Sequence, residues 1–314
     1  MTLTQLHYMI TISKTKSFNK AAEALYVSQP SLTSAIRELE KEIGITIFNR
    51  GVRGVTLTND GAEFLQYALQ VYSQYEMLEE KYIRKVNIRK KFSVSTQHYS
   101  FAVKAFVNMV RSLDTSEYEF AIKETRTKEV IEDVRNLRSE VGLLYESNFN
   151  RKAIEKTLKT AGLEFHHLID CDPYVYLWKG HPLAHEKSIR FEQLNAYPCL
   201  SFEQGDSSNY YFAEEILSTN QYEHIIKCND RATILNLMVG LNGYTLCSGI
   251  ICEELNGSDY VAVPFEPDEK DGSDVMEIGY ITRKNIILSE VGRRYVQELR
   301  KYLGLPTEGS KEQA

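Results

Sequence analysis

The side chains able to do covalent or metal chemistry are scattered in this sequence. His166 and His167 are adjacent and His181 and His185 stand four apart, whereas a zinc site needs three or four converging ligands at a recognisable spacing. Cys247 and Cys252 are spaced too irregularly for a zinc ribbon, and none of the 5 cysteines forms a CxxC pair. An odd number of thiols, in a chain long enough to build a core without staples, reads as reduced and buried. The carboxylate pairs Glu214-Glu215 and Glu253-Glu254 fall on helical or loop segments where solvation accounts for them. There is no GxSxG, P-loop or GxGxxG fingerprint. These residues predict no catalytic group, no metal and no cofactor.

A second set of residues suits binding to nucleic acid. Gln29, Pro30, Ser31, Ser34 and Arg37 lie close together, with Arg50 and Arg53 just beyond. Glutamine bonds adenine in a bidentate way, serine adapts to several base edges, and Pro30 can touch a thymine methyl. Arg37 can reach a base or a phosphate, and Arg50 and Arg53 suit phosphate or a narrow minor groove.

The local sequence predicts elements that would position this set. Ser17 is a good N-cap for a helix over residues 18–25 with Ala21, Ala22 and Leu25 on one face. Tyr26, Val27 and Ser28 form a break. A second helix runs from Gln29 to about Glu42, with proline in the first turn, where a missing N–H costs little. Leu32, Ile36, Leu39 and Ile43 recur four, three and four apart as a buried stripe. Gly44 ends the helix. Ile45–Phe48 and Val55–Leu57 are expected to pair across Asn49–Gly54 as an arginine-tipped wing. Two short helices and a tight break make a helix-turn-helix. Glu38 and Glu40 would repel phosphate and are expected to face away from it.

Residues 59–88 read as one long helix capped by Thr58. Phe64, Ala68, Val71, Tyr75, Leu78 and Tyr82 form one apolar stripe, and Leu65, Leu69 and Tyr72 widen it. That surface needs a partner, either its own domain or a second copy of the helix. From residue 91 short apolar strands alternate with amphipathic helices, the pattern of an α/β domain with a largely parallel sheet. Helices are expected near 101–113, 128–137, 191–194, 209–217 and 232–241, with a second unit opening near Phe165. Ligands of such sheets bind beyond the strand carboxyl ends, at helix N-termini. Ser95, Thr96 and Gln97, then Ser201 and Phe202, then Asn229, occupy such places, and Tyr145 ends a neighbouring strand. N-capping explains the hydroxyl residues equally well.

Taken together, the sequence resembles the LysR-type transcriptional regulators. The matching positions are Ser17-Phe18, Ala21-Ala22, Leu25, Ser28 to Thr33, Ile36, Leu39-Glu40, Gly44, Phe48-Asn49-Arg50, Leu57-Thr58 and Gly61. Later marks are His181 to Ala184, Val239 to Tyr244, and a Ser289-led last helix. Ser34-Ala35 and Asn242-Gly243 depart from the family pattern. The resemblance implies a winged helix-turn-helix (residues 1–58), a linker and dimerisation helix (59–89), and a two-lobed, periplasmic-binding-protein-like effector domain (90–305). Lobe I would take about 90–163 and 266–305 and lobe II about 164–265, with a polar tail at 306–314. It also implies promoter DNA, a small and anionic effector between the lobes, and a homodimer or homotetramer as partners. The other class left open is a small-molecule binding protein or α/β enzyme whose N-terminal helices serve only for assembly.

Composition narrows the setting. No apolar run approaches the ~18–20 residues of a membrane helix, and the N-terminus lacks the pattern of a secretory signal. A cytoplasmic location is expected. The net charge of −6 argues against nucleic acid only if averaged over all 314 residues. Residues 1–90 carry 12 Lys+Arg against 9 Asp+Glu, a net of +3, and the remainder carries −9. The N-terminal segment is thus mildly basic, and strong DNA affinity would require more than one copy of it.

Overall fold

Helix α1 (Leu3–Thr15) is followed by α2 (Phe18–Ala24) and α3 (Gln29–Ile43), then strands β1 (Phe48–Gly51) and β2 (Gly54–Leu57), and α4 (Asn59–Tyr82). The computed structural model describes residues 1–51, 54–83, 90–114, 117–205, 210–267 and 275–306, without the side chains of Arg50, Met77, Glu80 and Lys81. The chain divides into two units, residues 1–88 and 89–314.

Capping chemistry explains the boundaries in the first unit. Ser17 Oγ accepts from Lys20 N and Ser28 Oγ from Ser31 N, so α2 and α3 each begin on a serine. Tyr26 holds the break with φ 55°, a left-handed conformation unusual for a residue with a Cβ. Gly44, at φ 75°, closes α3. Leu32, Ile36 and Leu39 are fully buried against Met9, Ile12 and Ala21. The hairpin differs from expectation. Phe48–Gly51 pairs with Gly54–Leu57, so Asn49, Arg50 and Gly51 are strand and not turn. Residues 45–47 stay out of the ladder, and Glu40 Oε1 accepts the N–H groups of Ile47 (2.7 Å) and Phe48 (3.2 Å). Arg53, at the expected tip, lies outside the described residues.

Thr58 caps α4 by accepting Gly61 N–H at 2.8 Å. Gly61 sits so close to Ile47 that a Cβ there would lie 2.1 Å from the Ile47 carbonyl oxygen. Ala68 is buried, with Leu65, Leu69 and Tyr72 packed beside it in the same core, and Tyr72 Oη lies 3.0 Å from His7 Nδ1. Tyr67, Val71, Leu78 and Tyr82 remain exposed.

The second unit opens with β3 (Lys90–Thr96), α5 (Ser100–Arg111), β4 (Tyr118–Glu124), α6 (Thr127–Arg135), β5 (Val141–Glu146), α7 (Arg151–Ala161) and β6 (Leu163–Cys171). It continues through β7 (Tyr174–Trp178), β8 (Ile189–Arg190), α8 (Phe191–Leu194), β9 (Cys199–Phe202), β10 (Ile225–Cys228), α9 (Arg231–Leu241), β11 (Thr245–Cys247) and α10 (Glu253–Asn256). Strands β12 (Tyr260–Glu266) and β13 (Met276–Arg283) and helix α11 (Glu290–Tyr302) complete it. One sheet has the order β4-β3-β5-β13-β6 and the other β11-β7-β12-β8, with β9 and β10 paired beside it. Pairing is parallel for β4, β3 and β5 and for β9 and β10, but antiparallel where β13 meets β5 and β6. The sheets are therefore mixed.

Three local expectations change. Strand β6, expected to open the second lobe, lies in the first sheet beside β13. Helix α7 joins β5 to β6 and was not foreseen. Its Ile154 and Leu158 are buried, but two apolar anchors among lysines make a weak stripe. The helix expected over 209–217 is, in its described part, only a 3₁₀ turn at Tyr210–Phe212. The core of the first lobe lies between the sheet, α5 and α11, where Phe101, Met109, Tyr295 and Leu299 are fully buried. Glu140 fixes the start of α11 by accepting Ser289 N–H at 2.5 Å and Ser289 Oγ–H at 2.8 Å.

Candidate functional site

The first surface is the N-terminal end of α3. Pro30, Ser31, Ser34 and Arg37 are exposed and Gln29 is half-buried. Gln29 Nε2 donates to Thr33 Oγ1 at 2.8 Å, and the Ser28 and Ser31 hydroxyls lie 2.7 Å apart. These contacts hold the polar end of the helix in place without covering it. Lys14, Lys16 and Lys20 are exposed in the same unit. Glu40 is turned onto the backbone of residues 47 and 48, which removes a carboxylate from the polar face. The side chain of Arg50 and all of Arg53 lie outside the described residues.

The second feature is a cavity of about 90 Å³ between the two lobes of the second unit. His98, Tyr99 and Ser100 come from the turn between β3 and α5, and Met276 from β13. Tyr176, Phe202, Arg231, Ile234, Leu246 and Ser248 line the opposite wall, with Glu214 and Glu215 between. The His98 ring stacks flat on Phe202, with centroids 3.7 Å apart and planes 4° off parallel. Glu214 Oε2 receives the His98 backbone N–H at 2.9 Å and lies 2.8 Å from His98 Nδ1, while Oε1 accepts from Gln204 Nε2 at 2.8 Å. Burial alone would lower the His98 pKa, but the hydrogen bond and charge of Glu214 outweigh it and hold His98 above its ordinary value.

Glu215 differs from its neighbour. Burial, and then the charge of Glu214, push its carboxyl up to about 8, although it accepts Phe202 N–H at 2.7 Å. Arg231, the first residue of α9, has its Nε 2.9 Å from Glu124 Oε1, and its Nη1 donates to Asn256 Oδ1 at 3.2 Å. Helix α5 begins at this cavity without a side-chain cap, so its N-terminal dipole is available to a bound anion. The cavity combines apolar walls with the uncapped start of α5, the Arg231 guanidinium paired to Glu124, and the carboxylates of Glu214 and Glu215.

Of the expected ligand-binding residues, only Phe202 lines this cavity. Ser95, Thr96 and Gln97 are fully buried and have internal partners. Ser95 Oγ donates to Asp133, Thr96 Oγ1 to the Gln97 carbonyl, and Gln97 Nε2 to Thr127. Gln97 Oε1 also accepts from Tyr99 Oη and Tyr145 N. These residues brace the cavity floor and do not open onto it. Tyr145 is buried and donates to the Glu215 carbonyl at 3.2 Å. Ser201 lines an adjacent pocket of about 320 Å³ with Tyr210, Tyr222 and Lys227. Asn229 is exposed next to Asp230, which caps α9 through Thr233 N–H.

Glu214 and Glu215 are a correction to the solvated-surface reading, since they are 6% and 7% exposed. Their sequence neighbourhood gives no sign of burial. His98, Glu214, Glu215 and Arg231 are brought together from distant segments. The signal available in sequence was position alone, His98 one residue past the marked Gln97 and Arg231 two past Asn229.

Both units match known protein families. Residues 3–62 match the model of the bacterial regulatory helix-turn-helix protein, lysR family, and residues 115–304 match the LysR substrate binding domain. The pairing of a helix-turn-helix with a ligand-binding domain defines a small-molecule-responsive transcriptional regulator and not an enzyme. The chain belongs to the LysR family. It is 28% identical over 265 residues to the Hca operon transcriptional activator HcaR of Escherichia coli, covering 79% of this chain and 82% of that protein. It is 44% identical over 71 residues to the HTH-type transcriptional regulator CitR of Bacillus subtilis, covering 23% of this chain and 24% of CitR. Full-length OxyR from Pseudomonas aeruginosa shares the fold, with a TM-score of 0.62 at 19% identity over 97% of this chain and 95% of that one. Among the described residues no helix is long and apolar enough to cross a membrane.

Proposed function

We propose that the cavity around His98, Phe202 and Arg231 receives the effector, a small molecule with an apolar body and one anionic group. The observation that carries this is a cavity with walls from both lobes, so that an occupant contacts both and shifts their relative position. Apolar side chains hold the body, while Arg231 and the α5 N-terminus face the anion. In the first unit, Gln29, Pro30, Ser31, Ser34 and Arg37, with Arg50 and Arg53 of the hairpin, meet promoter DNA. Residues 1–58 then act as the DNA-binding domain, 59–89 as the linker, and 90–305 as the effector domain of a cytoplasmic protein, with 306–314 a polar tail. The exposed Tyr67, Val71 and Leu78 on α4 support assembly through that helix into a homodimer or homotetramer. Two mildly basic modules bound side by side raise affinity and set half-site spacing.

Thermal denaturation of the full chain with a panel of small carboxylic acids tests the reading. A true effector raises the melting temperature progressively, with the logarithm of ligand concentration once that exceeds Kd. Arg231→Gln is expected to abolish that rise for acids. If the panel stabilises Arg231→Gln as well as wild type, Arg231 is not the anion contact.

A further inference from the structure

Strand β4 lies at the edge of the first sheet and ends at Glu124, the register partner of Thr96 at the end of β3. Glu124 thus stands at the carboxyl ends of the first lobe's strands, where ligands of such sheets bind. Its partner comes from the other lobe. Arg231, 107 residues away at the start of α9, is the one guanidinium on the cavity wall. The Arg231 and Glu124 side chains are 23% and 25% exposed, so the pair is largely shielded from water.

The pair is poorly made. Arg231 Nε donates to Glu124 Oε2 at 3.2 Å, long for a charge-assisted bond, which usually spans about 2.7–2.9 Å. Oε1 is nearer to Nε, at 2.9 Å, yet this buried oxygen has no aligned hydrogen bond among the described residues. Nη1 donates to Asn256 Oδ1 at 3.2 Å, and Asn256 Nδ2 donates to Tyr176 Oη at 3.3 Å. Nη2 makes no hydrogen bond among the described residues. A guanidinium presents Nε–H and Nη2–H as a parallel fork that matches a carboxylate. Glu124 engages half of that fork. A buried ion pair offsets its desolvation only when the geometry is good.

We propose that Glu124 is a built-in counter-anion, which holds Arg231 across the lobes until the carboxylate of an acidic effector displaces it. The inference rests on the reading of Arg231 as the anion contact. A free acid is not tethered to β4, so it takes both N–H groups of the fork where Glu124 takes one. The exchange breaks an ion pair between the lobes. Effector binding then favours one arrangement of the lobes over the other, as a shift in their relative position requires. Selectivity follows as well, because a neutral group does not displace a carboxylate from a guanidinium, whereas a planar, bidentate anion does.

The test is calorimetric titration of the full chain with sodium butyrate and sodium cyclohexanecarboxylate. The proteins are wild type, Glu124→Gln, Glu124→Asp, Arg231→Gln and the exposed control Glu253→Gln. Glutamine removes the competing charge. Aspartate keeps the charge but is one methylene too short to hold the same contact. Both are expected to bind acid more tightly than wild type, Glu124→Gln by about tenfold, with Glu253→Gln unchanged. Amide hydrogen exchange of ligand-free Glu124→Gln over residues 118–124 and 231–241 is expected to rise as it does in wild type with acid. Loss of binding in Arg231→Gln with no gain in Glu124→Gln overturns this inference alone. Wild-type affinity in Glu124→Asp also overturns it, by reducing the effect to a long-range field. Unchanged exchange in Glu124→Gln overturns the link between the lobes. Retained binding by Arg231→Gln, or no acid binding by any of these proteins, removes the anion contact itself and this inference with it.

Discussion

Replacing Glu215 with glutamine should make the effector lobe more stable at alkaline pH while changing little in acid. Glu215 is 7% exposed. Burial first, and Glu214 second, raise its pKa from 4.5 to about 8. Between those values the unfolded chain has lost the proton and the folded chain keeps it. Stability is therefore fully present below pH 4.5 and falls as pH rises to about 8. At about 1.4 kcal/mol per pH unit, the interval corresponds to a loss of about 5 kcal/mol. His98, also raised above its ordinary value by Glu214 against the effect of burial, adds a loss of the same sign at higher pH than its unfolded value. Glutamine has the same outline and keeps an acceptor for Phe202 N–H, but it does not titrate. The single tryptophan, Trp178, lies in β7 and donates to Asn242 Oδ1 at 2.8 Å. Its fluorescence in urea titrations reports this lobe directly. Wild type and Glu215→Gln should coincide near about pH 5 and separate by several kcal/mol, in favour of the variant, near about pH 8. Parallel pH slopes for the two proteins would refute the assignment of a buried, protonated Glu215.

Gly61→Ala should destabilise the N-terminal unit. Alanine gains about 1 kcal/mol of helix propensity, but its Cβ would lie 2.1 Å from the Ile47 carbonyl oxygen, and backbone displacement costs about 1–3 kcal/mol. A higher melting temperature for this variant would contradict the packing described. Thr58→Ala, by removing the α4 cap, should cost about 1 kcal/mol, read from the denaturation midpoint of the same unit. Arg37→Ala should weaken binding to duplex DNA and lower the slope of log affinity against log salt by about one if the side chain meets a phosphate. An unchanged slope with altered sequence preference would place Arg37 on a base instead. The double substitution Arg50→Ala, Arg53→Ala should weaken binding to all sequences alike, and full affinity at every salt concentration would remove the hairpin from the interface.

Much of the first unit was legible because its signals are local. A capping serine, a proline in the first turn, a four-three-four apolar stripe and a closing glycine each act within one or two helical turns. The helices α2, α3 and α4 follow from them. The hairpin register was not legible, since it is set by which residues of Phe48–Gly51 and Gly54–Leu57 meet across the ladder. In the second unit the alternation of strands and helices was readable, but not which strand lies beside which. Strand β6 looks like the start of a new lobe until its antiparallel pairing with β13 is known.

The ligand cavity shows the same division more sharply. Sequence could mark the strand ends, and it marked Ser95, Thr96 and Gln97. Tertiary structure turned those side chains inward and made His98, their neighbour, a wall of the cavity. Sequence could not place Glu214 and Glu215 in the interior, because the burial of a carboxylate depends on what packs over it. What the sequence determined by itself was a helix-turn-helix followed by a long helix and alternating strands and helices, because caps, breaks and apolar periods are written in neighbouring residues; the two-lobed plan came from the resemblance to the LysR-type regulators. What only the tertiary structure decided was which polar groups meet, because strand register and lobe packing bring together residues that no local interaction connects.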